Sequence, residues 1–183
     1  MLHADAFIEV DKDITLRRLT RENAQDKFDL IVKNHDHLLP WLPWAELYHD
    51  DIQVMYTFTD SEIEKFDNGV TFGYDIYYQD QLVGSIDLHD VSEENHRAEI
   101  GYWVGKEFTG KGIATRAAAA LTEYAFKKLE LNRIAILACV DNIPSISVAK
   151  RLNFTEEGTL RQYSELPDGA HDTIVFSKLK SEA

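Results

Sequence analysis

The residues best suited to chemistry crowd into one stretch of the chain, from Glu99 to Thr115: Glu-Ile-Gly-Tyr-Trp-Val-Gly-Lys-Glu-Phe-Thr-Gly-Lys-Gly-Ile-Ala-Thr. Apart from its first residue, Glu99 to Val104 is apolar, as in a strand buried on both faces. Gly105, Gly110 and Gly112 then break the chain before Ile113-Ala-Thr-Arg-Ala-Ala-Ala-Ala-Leu opens a helix. Glycines let the backbone come close to a ligand, and the free N–H groups of a first helical turn carry about half a positive charge. The junction therefore suits a phosphate or pyrophosphate.

Three loop chemistries compete for that anion. Gly105-x-x-x-x-Gly110-Lys111 follows most of a P-loop, and the apolar run Ala135 to Val140 ends in Asp141, as an Mg²⁺-binding strand would. Gly112, however, stands where that motif needs the hydroxyl of Ser or Thr, so phosphoryl transfer loses a metal ligand. Gly110-x-Gly112-x-x-Thr115 lacks the third glycine of a dinucleotide fingerprint and the acidic residue about twenty positions on. The third chemistry fits: Thr109-Gly-Lys-Gly-Ile-Ala114 resembles the acetyl-coenzyme A pyrophosphate loop of the GNAT superfamily. The resemblance implies that Thr109, Gly110, Lys111, Gly112, Ile113, Ala114 and Thr115 hold the cosubstrate. Relatives usually begin this loop with Gln or Arg; Thr109 offers a single hydroxyl, which leaves binding to the backbone amides.

A second match lies downstream. Asn142-x-x-Ser145-x-x-Val-Ala-Lys-Arg-Leu-Asn-Phe154 resembles the superfamily segment that contacts the pantetheine arm. Leu16-Arg-Arg-Leu19, Leu39-Pro-Trp-Leu-Pro-Trp44 and Ala98-Glu-Ile-Gly-Tyr-Trp103 are similar to the branch that acetylates ribosomal-protein N-termini. The implied function is transfer of acetyl from acetyl-CoA to a primary amine, foremost the N-terminal α-amino group of a ribosomal or other protein. A small amine acceptor, such as a polyamine, an amino acid or an aminoglycoside, is the alternative within the fold. A coenzyme A-binding regulator without turnover is the alternative outside catalysis.

The resemblance also distributes roles. Ala98-Glu99-Ile100 is similar to the segment that carries the general base in the superfamily's histone acetyltransferases, and apolar neighbours would raise the pKa of Glu99 towards working pH. The competing role for Glu99 is a structural carboxylate paired with Arg97 or His96. The ribosomal branch has a base glutamate at the position of Ser164, which makes Glu165, beside it, the second candidate. Strand N–H groups near Trp103 and Val104 would stabilise the oxyanion, with Gly101 permitting a bulge. Many relatives protonate the departing thiolate with a tyrosine where this chain has Ala149, so Ser145 inherits that task by hydrogen bonding the sulfur; otherwise it is a helix-start capping serine. Asn142 completes the cofactor-binding set.

These residues need a frame. Ile14 to Leu19 alternates as a strand; Thr20 or Asn23 caps a helix to about Lys33; the prolines of Leu38 to Trp44 forbid regular structure; and two short helices cover Tyr48 to Phe58 and Ser61 to Asn68. Val70–Tyr78 and Leu82–Leu88 form a hairpin around residues 79–81, followed by a strand from Arg97 to Val104. A strand at Leu131 to Val140, a helix at Ile143 to Leu152 capped by Asn142, and strands at Phe154–Tyr163 and Thr173–Leu179 around Pro167-Asp168-Gly169 complete the pattern. The pattern predicts one mixed α/β domain over residues 1–183. The resemblance specifies the GNAT fold: a twisted mixed sheet with helices on both faces, splayed between the Arg97 and Leu131 strands.

Composition limits the partners. The 183 residues carry 19 basic against 32 acidic side chains, a net charge of −13, which disfavours nucleic acid and suits a cationic acceptor. No apolar run resembles a signal or membrane segment, so a cytoplasmic location is expected. Cys139, the one cysteine, lies in an apolar run and reads as a buried small hydrophobe. His35-x-His37 reads as surface histidines and no metal is anticipated. Glu62, Glu64 and Asp67 read as a solvated helix face, and Trp41 and Trp44 as a packed anchor or the wall of an acceptor slot. Exposed aromatics in the acceptor loops make a homo-oligomer plausible.

Overall fold

A crossover from one parallel strand to its neighbour organises the chain. The computed structural model describes residues 2–48 and 50–183. It joins β1 (Phe7–Glu9), β2 (Ile14–Arg18), β3 (Phe72–Tyr78), β4 (Gln81–Ser92), β5 (Arg97–Val104), β6 (Arg133–Cys139), β7 (Thr155–Leu166) and β8 (Gly169–Leu179) into one sheet. The order is β1-β2-β3-β4-β5-β6-β8-β7, antiparallel except for β5 and β6. A parallel pair needs a long connection, supplied by α4 (Ile113–Lys127).

Strand alternation divides the core. Ala98 and Ile100 of β5 join Ile134, Ile136 and Ala138 of β6 in a buried cluster with Ile113, Ala117 and Leu121 of α4 and Val148 and Ala149 of α5 (Ile143–Arg151). Trp103 instead packs on a second cluster, containing Ala24 and Ile31 of α1 (Ala24–Lys33), Leu38 of α2 (His35–Leu38) and Met55 of α3 (Ile52–Asp67). The strand expected to be buried on both faces is therefore half-covered: Ile100 is buried while Glu99, Gly101, Tyr102, Trp103 and Val104 are intermediate. Its flank towards β6 lies open.

Several expectations change. Residues 52–67 form one helix rather than two, because buried Met55, Thr59 and Phe66 fall on one helical face that runs through Asp60 and Ser61. Asp51 caps it, accepting from the Gln53 amide at 2.8 Å, and Gly69 ends it at φ +69°. His49, within the first of the two expected helices, lies outside the described residues. The proline loop is partly regular, since Pro43 opens a 3₁₀ helix to Leu47 at a position that needs no N–H. Asn23 precedes α1 without a side-chain cap, and the buried Thr20 hydroxyl has no partner among the described residues. β1 has no counterpart in the sequence pattern. Among the described residues no helix is long and apolar enough to cross a membrane.

One ion pair ties α1 to the sheet. Lys27 and Asp75 are 4% and 1% exposed, with Nζ 2.9 Å from Oδ1, and Nζ also donates to Ser85 Oγ at 3.1 Å. Burial raises the Asp75 pKa, and the neighbouring ammonium opposes that rise. Removing one partner leaves a naked buried charge, so Lys27→Met is expected to lower unfolding stability by about 3–5 kcal/mol, read from urea midpoints, and Lys27→Met/Asp75→Leu to recover most of the loss.

Candidate functional site

The glycine loop has the geometry of an anion cradle. Gly110 and Gly112 adopt φ +73° and +72°, where other residues are strained, and no heavy atom lies within 4 Å of a Cβ built on either. Gly112 precedes α4, whose ladder begins when the Arg116 amide donates to Gly112 O at 3.0 Å. The amides of Ile113, Ala114 and Thr115 are thus those that a helix start leaves without intrahelical acceptors. Asn34 braces the loop by accepting from the Lys106 amide at 2.8 Å. The Thr109 hydroxyl donates to Lys106 O at 2.8 Å, so it is turned into the loop rather than free to donate outward. Arg116 pairs with Asp11 at 2.8 Å, and Lys111 lies 5.1 Å from the centre of the Phe108 ring. Open backbone amides and two vacant glycine positions fit a pyrophosphate.

Beside this cradle the sheet opens. Its β5/β6 pairing consists of Arg97↔Arg133, Ala98↔Ile134 and Glu99↔Ala135, after which the strands part. Tyr102 and Ser145 stand on the α5 side of the opening: the phenol donates to Ser145 O at 3.2 Å and lies 3.1 Å from its Oγ. Burial pushes the Tyr102 pKa up to about 12, so it stays protonated. Asn142 caps α5, its Oδ1 accepting from the Ser145 amide at 3.2 Å, which leaves the Ser145 hydroxyl free of capping. Trp103 and Val104 end β5, with the Trp103 ring 6.2 Å from that of Trp44 and tilted 56° to it. The bulge expected at Gly101 is absent: β4 and β5 stay in register from Gly84↔Val104 to His89↔Glu99, and the shift falls between His89 and Ser92. Gly101 makes room instead, since a Cβ there would sit 3.2 Å from the His89 ring and 3.3 Å from Asp87 Oδ1.

Glu99 ends the paired section of β5, and its partner is His89 rather than Arg97 or His96. His89 Nδ1 lies 2.6 Å from Asp87 Oδ1, and Nε2 lies 3.7 Å from Glu99 Oε2. The hydrogen bond to Asp87 and then the nearby Glu99 carboxylate raise the His89 pKa to about 10. The protonated ring in turn lowers the Glu99 pKa, against the desolvation that alone would raise it. The expected upward shift is overturned by a neighbour on the adjacent strand.

A cavity of about 420 Å³ opens near the start of α5. The loop Leu39–Trp41 and the turn Leu166–Asp168 wall it, with Asp141 and His171 at its polar edge. His171 contacts Asp168 Oδ1 through Nε2 at 2.8 Å and Asp141 Oδ2 through Nδ1 at 3.2 Å; these carboxylates raise its pKa, Asp168 first. Trp41 is the cavity wall, whereas Trp44 is a packing residue against Tyr48 and Trp103. Glu165 is exposed and opposite Ala170 on β8, outside the cavity lining, and Ser164 Oγ lies 2.6 Å from Thr173 Oγ1. Glu62 and Asp67 are held by Lys65 at 2.6 Å and Arg18 at 2.8 Å. Sequence reasoning missed Tyr102, His89 and His171. Strand alternation put Tyr102 on the core side with Ile100, but nothing local to His89 or His171 marked their partners.

Residues 13–155 match the acetyltransferase (GNAT) domain family. The chain is 38% identical to YdaF, a putative ribosomal N-acetyltransferase of Bacillus subtilis (strain 168), over 95% of both chains. It is 28% identical to the ribosomal-protein-serine acetyltransferase of Escherichia coli (strain K12), covering 94% of this chain and 96% of that one. Among solved structures it superposes with a TM-score of 0.91 and 26% identity on RimL, a ribosomal L7/L12 alpha-N-protein acetyltransferase in complex with coenzyme A, over 94% of this chain and 97% of that one.

The carboxylates flanking His89 stabilise its cation, so its folded pKa exceeds the unfolded value. The stabilisation is complete below the ordinary pKa of 6.5 and is lost as pH rises through about 10. Unfolding stability should therefore fall across that interval in the wild type and fall less in His89→Gln. Ring proton shifts in NMR should show His89 still charged at pH about 8; a midpoint near 6.5 would overturn the assignment.

Proposed function

The chain belongs to the GNAT acetyltransferase family, and from that premise we propose that it transfers acetyl from acetyl-CoA to the N-terminal α-amino group of a ribosomal protein. It is an acetyl-CoA-dependent N-acetyltransferase. The finer reading rests on one observation: the β5/β6 opening has an anion cradle at one side and, beyond Asp141-Asn142, an apolar cavity edged with carboxylates. An acetyl group held in the opening is then reached by an amine from the cavity.

In this reading the amides from Gly110 to Thr115 bind the pyrophosphate, Lys111 adds charge at the rim, and Thr109 shapes the loop. Asn142 and the end of β5 receive the pantetheine arm and thioester. Unpaired β5 amides near Trp103 and Val104 stabilise the oxyanion as nitrogen attacks the acetyl carbon. Glu99, kept ionised by His89, accepts the amine proton directly or through water as the C–N bond forms. An α-amino group of pKa about 8 is already partly neutral, so this help is needed only late. As the C–S bond breaks, Ser145 hydrogen-bonds the thiolate, its hydroxyl oriented by Tyr102. The −13 charge and the cavity carboxylates support a basic acceptor, and a ribosomal substrate puts the reaction in the cytoplasm.

Release of free thiol from acetyl-CoA across ribosomal N-terminal peptides, spermidine and aminoglycosides tests the acceptor. A peptide should exceed every small amine in kcat/KM by about 100-fold or more, a gap of some 2.7 kcal/mol in transition-state binding. A small amine in first place overturns the ribosomal reading, and thermal stabilisation by acetyl-CoA without turnover of anything points to a regulator. Glu99→Gln should lower kcat by about 10²–10⁴-fold, and a change within threefold would remove Glu99 as base. Ser145→Ala should slow turnover while the KM for acetyl-CoA stays within a few-fold; unchanged turnover of a good peptide removes Ser145 from the mechanism.

A further inference from the structure

Behind the cavity, three side chains of three ligand types converge. Cys139 Sγ, an Asp141 carboxylate oxygen and a His171 ring nitrogen all lie within 4.8 Å of one another. The sheet sets this convergence: Cys139 pairs with Thr173 across β6 and β8, and the Val140 amide donates to Asp172 O at 3.0 Å, so Asp141 and His171 follow opposite each other. Cys139 is buried, while Asp141 and His171 line the cavity. A fourth residue orients the imidazole, because Asp168 Oδ1 lies 2.8 Å from Nε2 while Nδ1 faces Asp141.

We propose that Cys139, Asp141 and His171 form an inhibitory zinc site at the end of the cavity. A thiolate, an imidazole and a carboxylate together suit Zn²⁺ and not the all-oxygen preference of Mg²⁺ or Ca²⁺. Nδ1 of His171 is the ligand atom, and Asp168 accepts from Nε2–H, the outer contact that fixes the tautomer of metal-bound histidines. Binding displaces the Cys139 thiol proton and the Nδ1 proton to solvent, with no redox change. Three protein ligands leave a fourth position on the cavity side. Taking that cavity as the acceptor seat, which rests on the function proposed above, zinc there excludes the amine and leaves the acetyl-CoA cradle untouched.

Cobalt(II) titration of the metal-stripped full-length protein tests the site without reference to activity. A thiolate-to-cobalt charge-transfer band saturating at a single equivalent is expected, and zinc should bleach it by displacement. Cys139→Ser should abolish the band while melting near the wild-type temperature, and Asp168→Asn should weaken binding by about 10–100-fold. Absence of saturable binding, or a band that persists in Cys139→Ser, overturns the proposal. In turnover assays zinc should raise the KM of the acceptor and leave that of acetyl-CoA unchanged. Binding without inhibition overturns the inhibitory role and leaves the site standing. If the metal-free protein acetylates no peptide or amine, the proposed function fails, and the cobalt band still decides the site.

Discussion

The parting of β5 from β6 is the constraint from which the rest of the active region follows. A central gap breaks the rule that buried backbone N–H and C=O groups are paired, so it persists only where each side is pinned and something fills it. Here β5 is pinned by its long antiparallel register with β4, and β6 by an uninterrupted one with β8. The parallel relation also forces a crossover helix, and that helix must start near the end of β5 where the strands separate. The anion cradle and the slot are thus products of one topological decision. An extended ligand arm with its phosphates at the helix start meets both requirements at once.

Charge is handled differently on the two sides of β4. Lys27 and Asp75 are shielded from water, and their pairing fixes α1 over the sheet. Asp87, His89 and Glu99 are half-exposed and form a carboxylate–imidazolium–carboxylate row across β4 and β5. Gly101 belongs to this row as much as its charged members, because a Cβ there would crowd both the His89 ring, at 3.2 Å, and Asp87 Oδ1, at 3.3 Å. Desolvation alone would raise the Glu99 pKa and make it a stronger base; His89 in the row lowers it instead and favours the ionised form. In the proposed reading it is then a placed, ionised acceptor at the apex of the opening for the proton of an amine already near its own pKa.

How much of this was legible follows from the range over which each signal acts. The Arg97–Val104 strand, the Gly112 helix start and the Asn142 cap were read correctly because each depends on a few adjacent residues: a bounded apolar run, a φ only glycine takes easily, an Asx side chain before a proline. The split of α3 was misread because Asp60 and Ser61 look like a stop, whereas burial of Met55, Thr59 and Phe66 decided the matter. His89 was invisible as the partner of Glu99, since only the β4/β5 register brings together residues ten apart. Tyr102 and Ser145 met for the same reason, through the packing of α5 on β5. Local rules reach the glycine loop and the helix start that follows it. Tertiary contacts bring Glu99 to His89 and Tyr102 to Ser145.

The proposed acceptor end depends on two ranges of electrostatics. At physiological salt, charges farther than about 8 Å are largely screened, so the net −13 acts mainly on encounter, drawing cationic chains towards the surface without orienting them. In that reading orientation falls to the groups at the cavity edge, where His171 joins Asp141 and Asp168. Between Asp141 and Asp168 its ring holds both carboxylates in place, and they favour its charged form. When His171 is protonated the edge carries a single net negative charge, and in the proposed reading that charge favours one ammonium while the apolar walls of Leu39, Trp41 and Leu166 meet the atoms beyond it. In the proposed reading the cavity therefore discriminates by fixed geometry at short range, whereas the acidic surface raises only the frequency with which candidates are tried.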